Sequence, residues 1–288
     1  MSLTTRWNVN RQAHLNGWAN LEAGLSSPTR TGAVRPLIFA AHPDDETLGA
    51  AAVMMRYPET RVVYLTDGAP RDPQLRSPDA GGSRSDYAKL RSLEAMAAIQ
   101  IADLGRDRVH WLGAVDQEAI HEAIPEAHHL LQLIREISPD VLITHPYEGG
   151  HPDHDAAALI ARLASDLLSR SGSAAPDLLE MTSYHARDGR LITGEFLPLS
   201  TQLPLKIELR SAEVNRKKLM IGCYQSQWRV LQNFGVDTEM LRLAPLYDFC
   251  QPPHAGKLWY ECLGWPMTGT EWRSLAAGAI NDLELRCA

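Results

Sequence analysis

Apolar positions in this chain gather into short unbroken runs instead of alternating with polar ones. Residues 36–41 read PLIFAA, 60–66 read TRVVYLT, 109–112 read VHWL and 140–144 read DVLIT. Runs of this length suit strands buried on both faces. Helical stretches separate them, over residues 47–57, about 85–102, 117–137 and from 152 through 161. The alternation predicts an α/β fold with a mainly parallel, Rossmann-like sheet and helices on both faces. The last third is less regular and forms an irregular C-terminal part. Residues 179–186 and 205–209 read as strands and 214–231 as helix. The turn-rich stretch 246–256 reads equally as substrate rim or as surface connection.

Ahead of the first strand, residues 1–34 are polar. They predict a helix around 11–23 and a loop, a solvated or oligomer-contacting extension compatible with a homo-oligomer. Residues 35–288 then form a single α/β domain, since no low-complexity linker or repeat divides them. Residues 68–83 follow the second strand as a long loop rich in proline, glycine and arginine, and loops of that length often bind ligands. Arg71, Arg76 and Arg84 are its candidate contacts to hydroxyl or anionic groups.

The net charge of −7, with no basic block, argues against nucleic acid or an anionic membrane as the main partner. No apolar stretch reaches membrane-spanning length, and the first twenty residues lack the apolar core of a signal peptide, so a cytoplasmic protein is expected. The four cysteines, Cys223, Cys250, Cys262 and Cys287, are late, scattered and without metal-ligand spacing, and are read as reduced thiols.

The chemistry is concentrated in two segments. Ala41-His42-Pro43-Asp44-Asp45-Glu46-Thr47 follows the first strand, and His151-Pro152-Asp153-His154-Asp155 follows the strand at 140–144. Either segment alone is compatible with a turn or a helix cap. Both sit where an open α/β sheet binds ligands, at the carboxyl ends of strands. His42 and Asp45 supply two ligands for zinc, which favours nitrogen and oxygen donors with one position open. Asp44 diverges from its neighbour and is placed to act as general base. Glu46 would orient His42 or cap the helix. His151 and His154 face the same way across a first helical turn. One completes the metal site and the other stays free above it. Asp153 or Asp155 would orient a histidine or cap the helix. No Gly-x-Gly-x-x-Gly follows the first strand, which argues against a dinucleotide.

The pair AHPDDE and HPDH resembles the PIG-L/LmbE-like de-N-acetylase family. Weaker agreement covers Leu65-Thr66-Asp67-Gly68, Arg91-Ser92-Leu93-Glu94, Tyr224-Gln225-Ser226-Gln227 and Tyr260-Glu261. The resemblance implies zinc bound by His42, Asp45 and His154, with iron, cobalt or nickel as other divalent candidates. It implies Asp44 as general base and His151 as acid or electrostatic stabiliser. Some relatives carry a tyrosine close before the second motif to hold the oxyanion; here Gly149 and Gly150 stand there, and Tyr147 is the nearest candidate. The expected activity is a zinc-dependent N-deacetylase that removes acetyl from an N-acetylglucosamine-type conjugate. The alternatives are an amidase for a larger acyl group and a non-catalytic sugar-binding protein with a vestigial metal site.

Overall fold

Strand β1 (Pro36–Ala40) is buried along its whole length, and its side chains part into two cores. Leu37 and Phe39 enter one, Ile38 and Ala40 the other. That is the physical content of an apolar run without alternation: both faces of the sheet are covered. The structure, a computed structural model, describes residues 16–26, 34–198 and 203–285.

Beside β1, the main sheet contains β2 (Arg61–Thr66), β3 (Val109–Ala114), β4 (Val141–Thr144) and β5 (Asp177–Met181). A separate hairpin follows, β6 (Tyr184–Arg187) and β7 (Arg190–Thr193), and then β8 (Leu205–Glu208) and β9 (Thr238–Leu243) close the main sheet. Its order is β3-β2-β1-β4-β5-β9-β8. The first five strands in sequence run parallel, with Leu37 beside Arg61 on one side and Leu142 on the other. β9 and β8 are antiparallel, which accounts for the irregular reading of the last third. The chain leaves β1 toward β2 and later returns to its other flank at β4. The crevice beyond β1 and β4 is therefore the topological switch point, where open α/β sheets bind ligands.

The helices are α1 (Asn16–Ser26), α2 (Asp45–Gly49), α3 (Ala51–Arg56), α4 (Arg84–Ile101), α5 (Ala123–Ile137), α6 (Pro152–Arg170), α7 (Ser211–Cys223), α8 (Trp228–Leu231), α9 (Trp259–Cys262) and α10 (Gly269–Asp282). Helices α5, α6 and α10 pack on the Leu37–Phe39 face, and α1, α3, α4 and α7 on the Ile38–Ala40 face. A capping box between Ser83 and Asp86 starts α4.

Several expectations need correction. α1 is no solvated extension: Leu21 is fully buried, Trp18 N–H donates to Asp177 Oδ2 at 2.8 Å, and Tyr57 hydroxyl donates to Leu21 O at 2.9 Å. Residues 11–15 of the expected helix lie outside the described residues. The helix expected over 47–57 breaks at Ala50. There Lys217 Nζ donates to Leu48 O at 2.7 Å and Ala52 N–H donates to Glu239 Oε2 at 3.0 Å. Lys217 and Glu239 pair with each other at 2.7 Å, fully buried, so one ion pair serves both sides of the break. The 68–83 loop holds two short 3-10 turns, Pro73–Leu75 and Pro78–Ala80. Its arginines are engaged internally: Arg71 with Glu118, Arg76 with carbonyls of Pro70 and Arg71, and Arg84 with Asp67. Cys250 is disulfide-bonded, against the expectation of reduced thiols throughout; Cys223 and Cys262 are free, and Cys287 lies outside the described residues.

Candidate metal centre

The two motifs meet in space because β1 and β4 are neighbours and both open into turns at the same edge. His42 and Asp45 lie on the turn from β1 into α2. His151 is the N-cap of α6, where its Nδ1 accepts the Asp153 N–H at 3.1 Å, with Pro152 in the first turn. That arrangement puts His154 one turn into the helix, facing back to β1.

Asp45 stands between two imidazoles. His42 Nδ1 is 3.2 Å from its Oδ2, and His154 Nε2 is 3.3 Å from its Oδ1. The other nitrogen of each ring is already occupied. His42 Nε2 lies 3.1 Å from Asp153 Oδ2, and His154 Nδ1 lies 3.0 Å from Ser183 Oγ. A metal-binding histidine commonly donates its free N–H to a carboxylate or another acceptor, which fixes its tautomer. Both rings have that arrangement, and the ligand atoms of His42, Asp45 and His154 all lie within 4.8 Å of one another. Two nitrogens and a carboxylate suit zinc and leave a face open. The donor set therefore fits the expected metal.

Electrostatics point the same way. Burial works against a charge on His42, yet Asp116, Asp153 and Asp45 outweigh it and raise its pKa well above the ordinary histidine value. The pocket favours positive charge. Burial and the neighbouring His145 lower the pKa of His154 to about 3, so its imidazole is neutral, the form that binds a cation. A second cluster, His42, Asp116, His151 and Asp153, also gathers metal-type donors. It is the poorer fit, because Asp153 already accepts amides from Gln117 at 2.5 Å and Ala119 at 3.1 Å.

Asp44 turns away from Asp45, as the sequence suggested. Its backbone has φ 131°, a region that side chains other than glycine rarely occupy. The strained turn is held from two sides. Asp44 N–H donates to Glu46 Oε2 at 3.1 Å, and Arg91 Nη2 donates to Asp44 Oδ2 at 2.9 Å and also to the Pro43 carbonyl. Burial raises the Asp44 pKa to about 7 against the lowering effect of Arg91. Strain of this kind persists at functional sites because the surroundings over-determine it.

Some supporting residues differ from expectation. Glu46 neither orients His42 nor acts alone: it accepts Tyr224 hydroxyl at 2.5 Å and Thr47 hydroxyl at 2.6 Å and carries the Asp44 amide. Glu94 accepts Ser226 N–H at 2.8 Å and faces Arg91 at 3.4 Å. The stretch 224–227 therefore braces the acidic turn from the far end of the chain. Asp153 stands behind His42, whereas Asp155 accepts the amides of Glu148 and Gly149. Tyr147 is not at the site: its hydroxyl donates to Gln251 O at 2.9 Å and its ring stacks on Trp272.

Sequence reasoning missed His145, Asp116, Ser183, Tyr184 and Trp265. His145 stacks on His154 with centroids 4.0 Å apart and accepts the Ala41 N–H at 3.0 Å. Asp116 faces His42 Nε2 at 3.4 Å. Trp265 meets His151 edge-on at 4.8 Å. Only His145 had a sequence signal, its place right after β4. His151 is buried like His42 and His154, but its Nε2 lies 3.9 Å from Asp116 and it is outside the His42, Asp45 and His154 group; burial, His42 and His154 hold its pKa well below the ordinary value.

Residues 37–165 match the PIG-L family, GlcNAc-PI de-N-acetylase. A 1D-myo-inositol 2-acetamido-2-deoxy-alpha-D-glucopyranoside deacetylase of Catenulispora acidiphila is 31% identical over 168 residues, covering 48% of this chain and 50% of that protein. Its counterpart in Streptomyces avermitilis is 30% identical over 159 residues, covering 46% and 53%. The chain thus spans about half the length of the curated relatives it matches. Among solved structures, a deacetylase of teicoplanin biosynthesis aligns with TM-score 0.53 at 18% identity, over 73% of this chain and 98% of that one. The 4-carboxy-2-hydroxymuconate hydratase of Pseudomonas putida aligns with TM-score 0.51 at 16% identity, over 72% and 94%. Those likenesses are of fold alone, and a hydratase among them illustrates that one fold carries several chemistries.

Proposed function

We propose that the protein, whose residues 37–165 match the PIG-L family, is a zinc-dependent hydrolase that removes acetyl from an N-acetylglucosamine-type conjugate. The observation that carries the reading is the Asp45 carboxylate set between His42 Nδ1 and His154 Nε2, with the Asp44 carboxylate turned aside onto Arg91. We take residues 35–288 as one catalytic domain, with 1–34 as its extension.

In this reading His42, Asp45 and His154 hold the ion. Zinc bound by these residues would supply the positive charge needed to polarise an amide carbonyl and acidify water. Asp44 accepts a proton from the attacking water and returns it to the departing nitrogen. Arg91 keeps that carboxylate in place. His151 acts at Nε2: its Nδ1 lone pair takes the Asp153 N–H, so the neutral ring carries its proton on Nε2. That proton is available to the oxygen on which negative charge develops. The geometry thus favours an electrostatic stabiliser over a general acid, since an imidazolium would compete with the Asp153 amide. No covalent intermediate is involved.

A carboxylate oriented by a buried arginine is more than a sugar-binding site needs, which favours an enzyme over a vestigial centre. A cytoplasmic location belongs to the same proposal; the disulfide at Cys250 is the observation that speaks for an oxidising compartment instead. Among the described residues no helix is long and apolar enough to cross a membrane.

The test is a panel of N-acetylated amino sugar conjugates assayed for free amine and acetate, with metal content measured on the same sample. Amine release in proportion to bound metal, abolished by chelation, is expected. Release only from longer acyl chains would make the protein an amidase, and full metal with no release from any conjugate would overturn the hydrolase reading.

A further inference from the structure

The second motif stands against a segment from the far end of the chain. Residues 258–272 lie outside the stretch that matches the family and run from the cap of α9 into α10. Leu258, Tyr260, Met267 and Trp272 enter the core on the Leu37–Phe39 face, and the partly buried Trp265 packs against it.

Both ends of the segment are tied to the loop that carries His151. Trp259 N–H donates to Gly149 O at 2.8 Å, and Trp272 Nε1 donates to Pro152 O at 3.0 Å. Leu258 lies over Gly149, where a Cβ would come within 2.5 Å of its side chain and where a φ of 69° already favours glycine. Glu261 closes the segment on itself, because its carboxylate accepts Leu258 N–H at 3.0 Å and Gly269 N–H at 2.8 Å. Within that closed loop Trp265 N–H donates to Tyr260 O at 3.1 Å. The loop presents the Trp265 ring to His151, with centroids 4.8 Å apart and planes at 75°.

Among the described residues the one hydrogen bond to the His151 ring runs from Asp153 N–H to Nδ1. A contact through one atom fixes neither the plane of the ring nor the direction of Nε2. Neighbouring rings supply that constraint. His42, at 4.3 Å and 72°, and His154, at 5.2 Å, belong to the candidate metal site itself. Trp265 alone among these rings owes its place to the C-terminal segment.

Resting on the hydrolase reading above, we propose that Trp265 is a positioning residue for His151, its ring fixing the plane of the imidazole and so the direction of the Nε2 proton, and that residues 258–272 form the clamp that holds it there. The two motifs then come from the stretch that matches the family, and the part that aims His151 comes from outside it.

The test uses zinc-loaded full-length protein with Trp265→Leu, which keeps apolar bulk without a ring, and Trp265→Phe, which keeps a ring. Histidine ring nitrogens are read by NMR, with the His151 signals identified by their absence from His151→Ala. The wild type should show His151 fixed in the form protonated at Nε2. Trp265→Leu should show it averaged between the two tautomers, and Trp265→Phe should restore the fixed signal. With N-acetylglucosamine as substrate, kcat of Trp265→Leu should fall by about a hundredfold, as misplacing a reacting group does, while KM and zinc stoichiometry stay near wild type. In a His151→Ala background the same substitution should change kcat little, since a residue that acts through His151 has nothing left to act on. Glu261→Gln, which leaves Trp265 intact and loosens the loop that carries it, should show the same averaging in weaker form.

A fixed His151 signal in Trp265→Leu, or an averaged one in the wild type, overturns the proposal whatever the activity. A kcat loss that persists undiminished in the His151→Ala background also overturns it, because Trp265 would then act on the substrate directly. Averaging in Trp265→Leu with no wild-type turnover of any amino sugar retains the positioning role and overturns the hydrolase reading. A wild-type signal and kcat in Glu261→Gln overturn the part assigned to the clamp.

Discussion

Asp153 Oδ2 lies 3.1 Å from His42 Nε2, and both oxygens of that carboxylate are pinned by the amides of Gln117 and Ala119. The pinned carboxylate fixes the His42 ring from behind and leaves Nδ1 to face Asp45. The His-Pro-Asp-His segment therefore serves the candidate metal centre twice, offering His154 directly and holding His42 through Asp153.

Asp153→Asn is expected to weaken zinc binding by about ten- to hundredfold, the usual effect of losing a carboxylate behind a ligating histidine. His42→Ala, Asp45→Ala and His154→Ala should each remove the metal from a folded protein. Competition against a chelator of known affinity measures all four. Undiminished affinity in Asp153→Asn would separate that carboxylate from the metal.

The carboxylate of Asp44 should serve chemistry and not metal affinity, because it is directed at Arg91 at 2.9 Å. Asp44→Asn is expected to keep its zinc and lose turnover by about a hundredfold or more. Near-normal turnover at full metal occupancy would falsify the general-base assignment.

The buried Lys217–Glu239 pair should matter to stability alone. Lys217→Met leaves the Glu239 charge buried without a partner, which costs about 3–5 kcal/mol in comparable pairs. Adding Glu239→Gln removes that charge and keeps an acceptor for the Ala52 amide, so part of the loss should return. Urea denaturation of the single and double variants gives the comparison, and zinc per folded molecule should stay constant. A double variant no more stable than Lys217→Met would mean that the unpaired charge is not the cause.

Acid should weaken the fold in part through Glu213. Burial opposes its ionisation, but hydrogen bonds from Arg56 and Arg210 outweigh burial and hold its carboxyl far below the usual range. A depressed native pKa gives stability that is fully present above the unfolded value, about 4.3 for glutamate, and is lost as pH falls toward the native one. The stability difference between wild type and Glu213→Gln should therefore be constant near neutrality and shrink below about pH 4.3. A difference that does not vary between pH 7 and pH 3 would assign the acid response to other groups.

Much of this protein was legible before any coordinate. Burial on both faces shows in a strand as an unbroken apolar run, so β1, β2 and β4 could be read from residues 36–41, 60–66 and 140–144, and their parallel direction from the helices between them. The two motifs were equally legible, because each places its candidate ligands within a few residues on one turn or one helical turn, where spacing fixes direction. His42, Asp44, Asp45, His151 and His154 do come together as that spacing suggested.

Only the tertiary structure decided what stands behind and around those side chains. Asp153 turned out to face His42 and not a histidine of its own helix, Glu46 to carry the Asp44 amide, and Tyr184 to reach the site from a hairpin. Ala50 breaks a helix that propensity favours, because Lys217 and Glu239, far along the chain, take up the backbone groups on either side of the break. Such partners are distant in sequence and leave no periodic trace. A local pattern records which way a side chain points from its own backbone, and the identity of what it meets there is set by the packing of the sheet, its helices and the late hairpin.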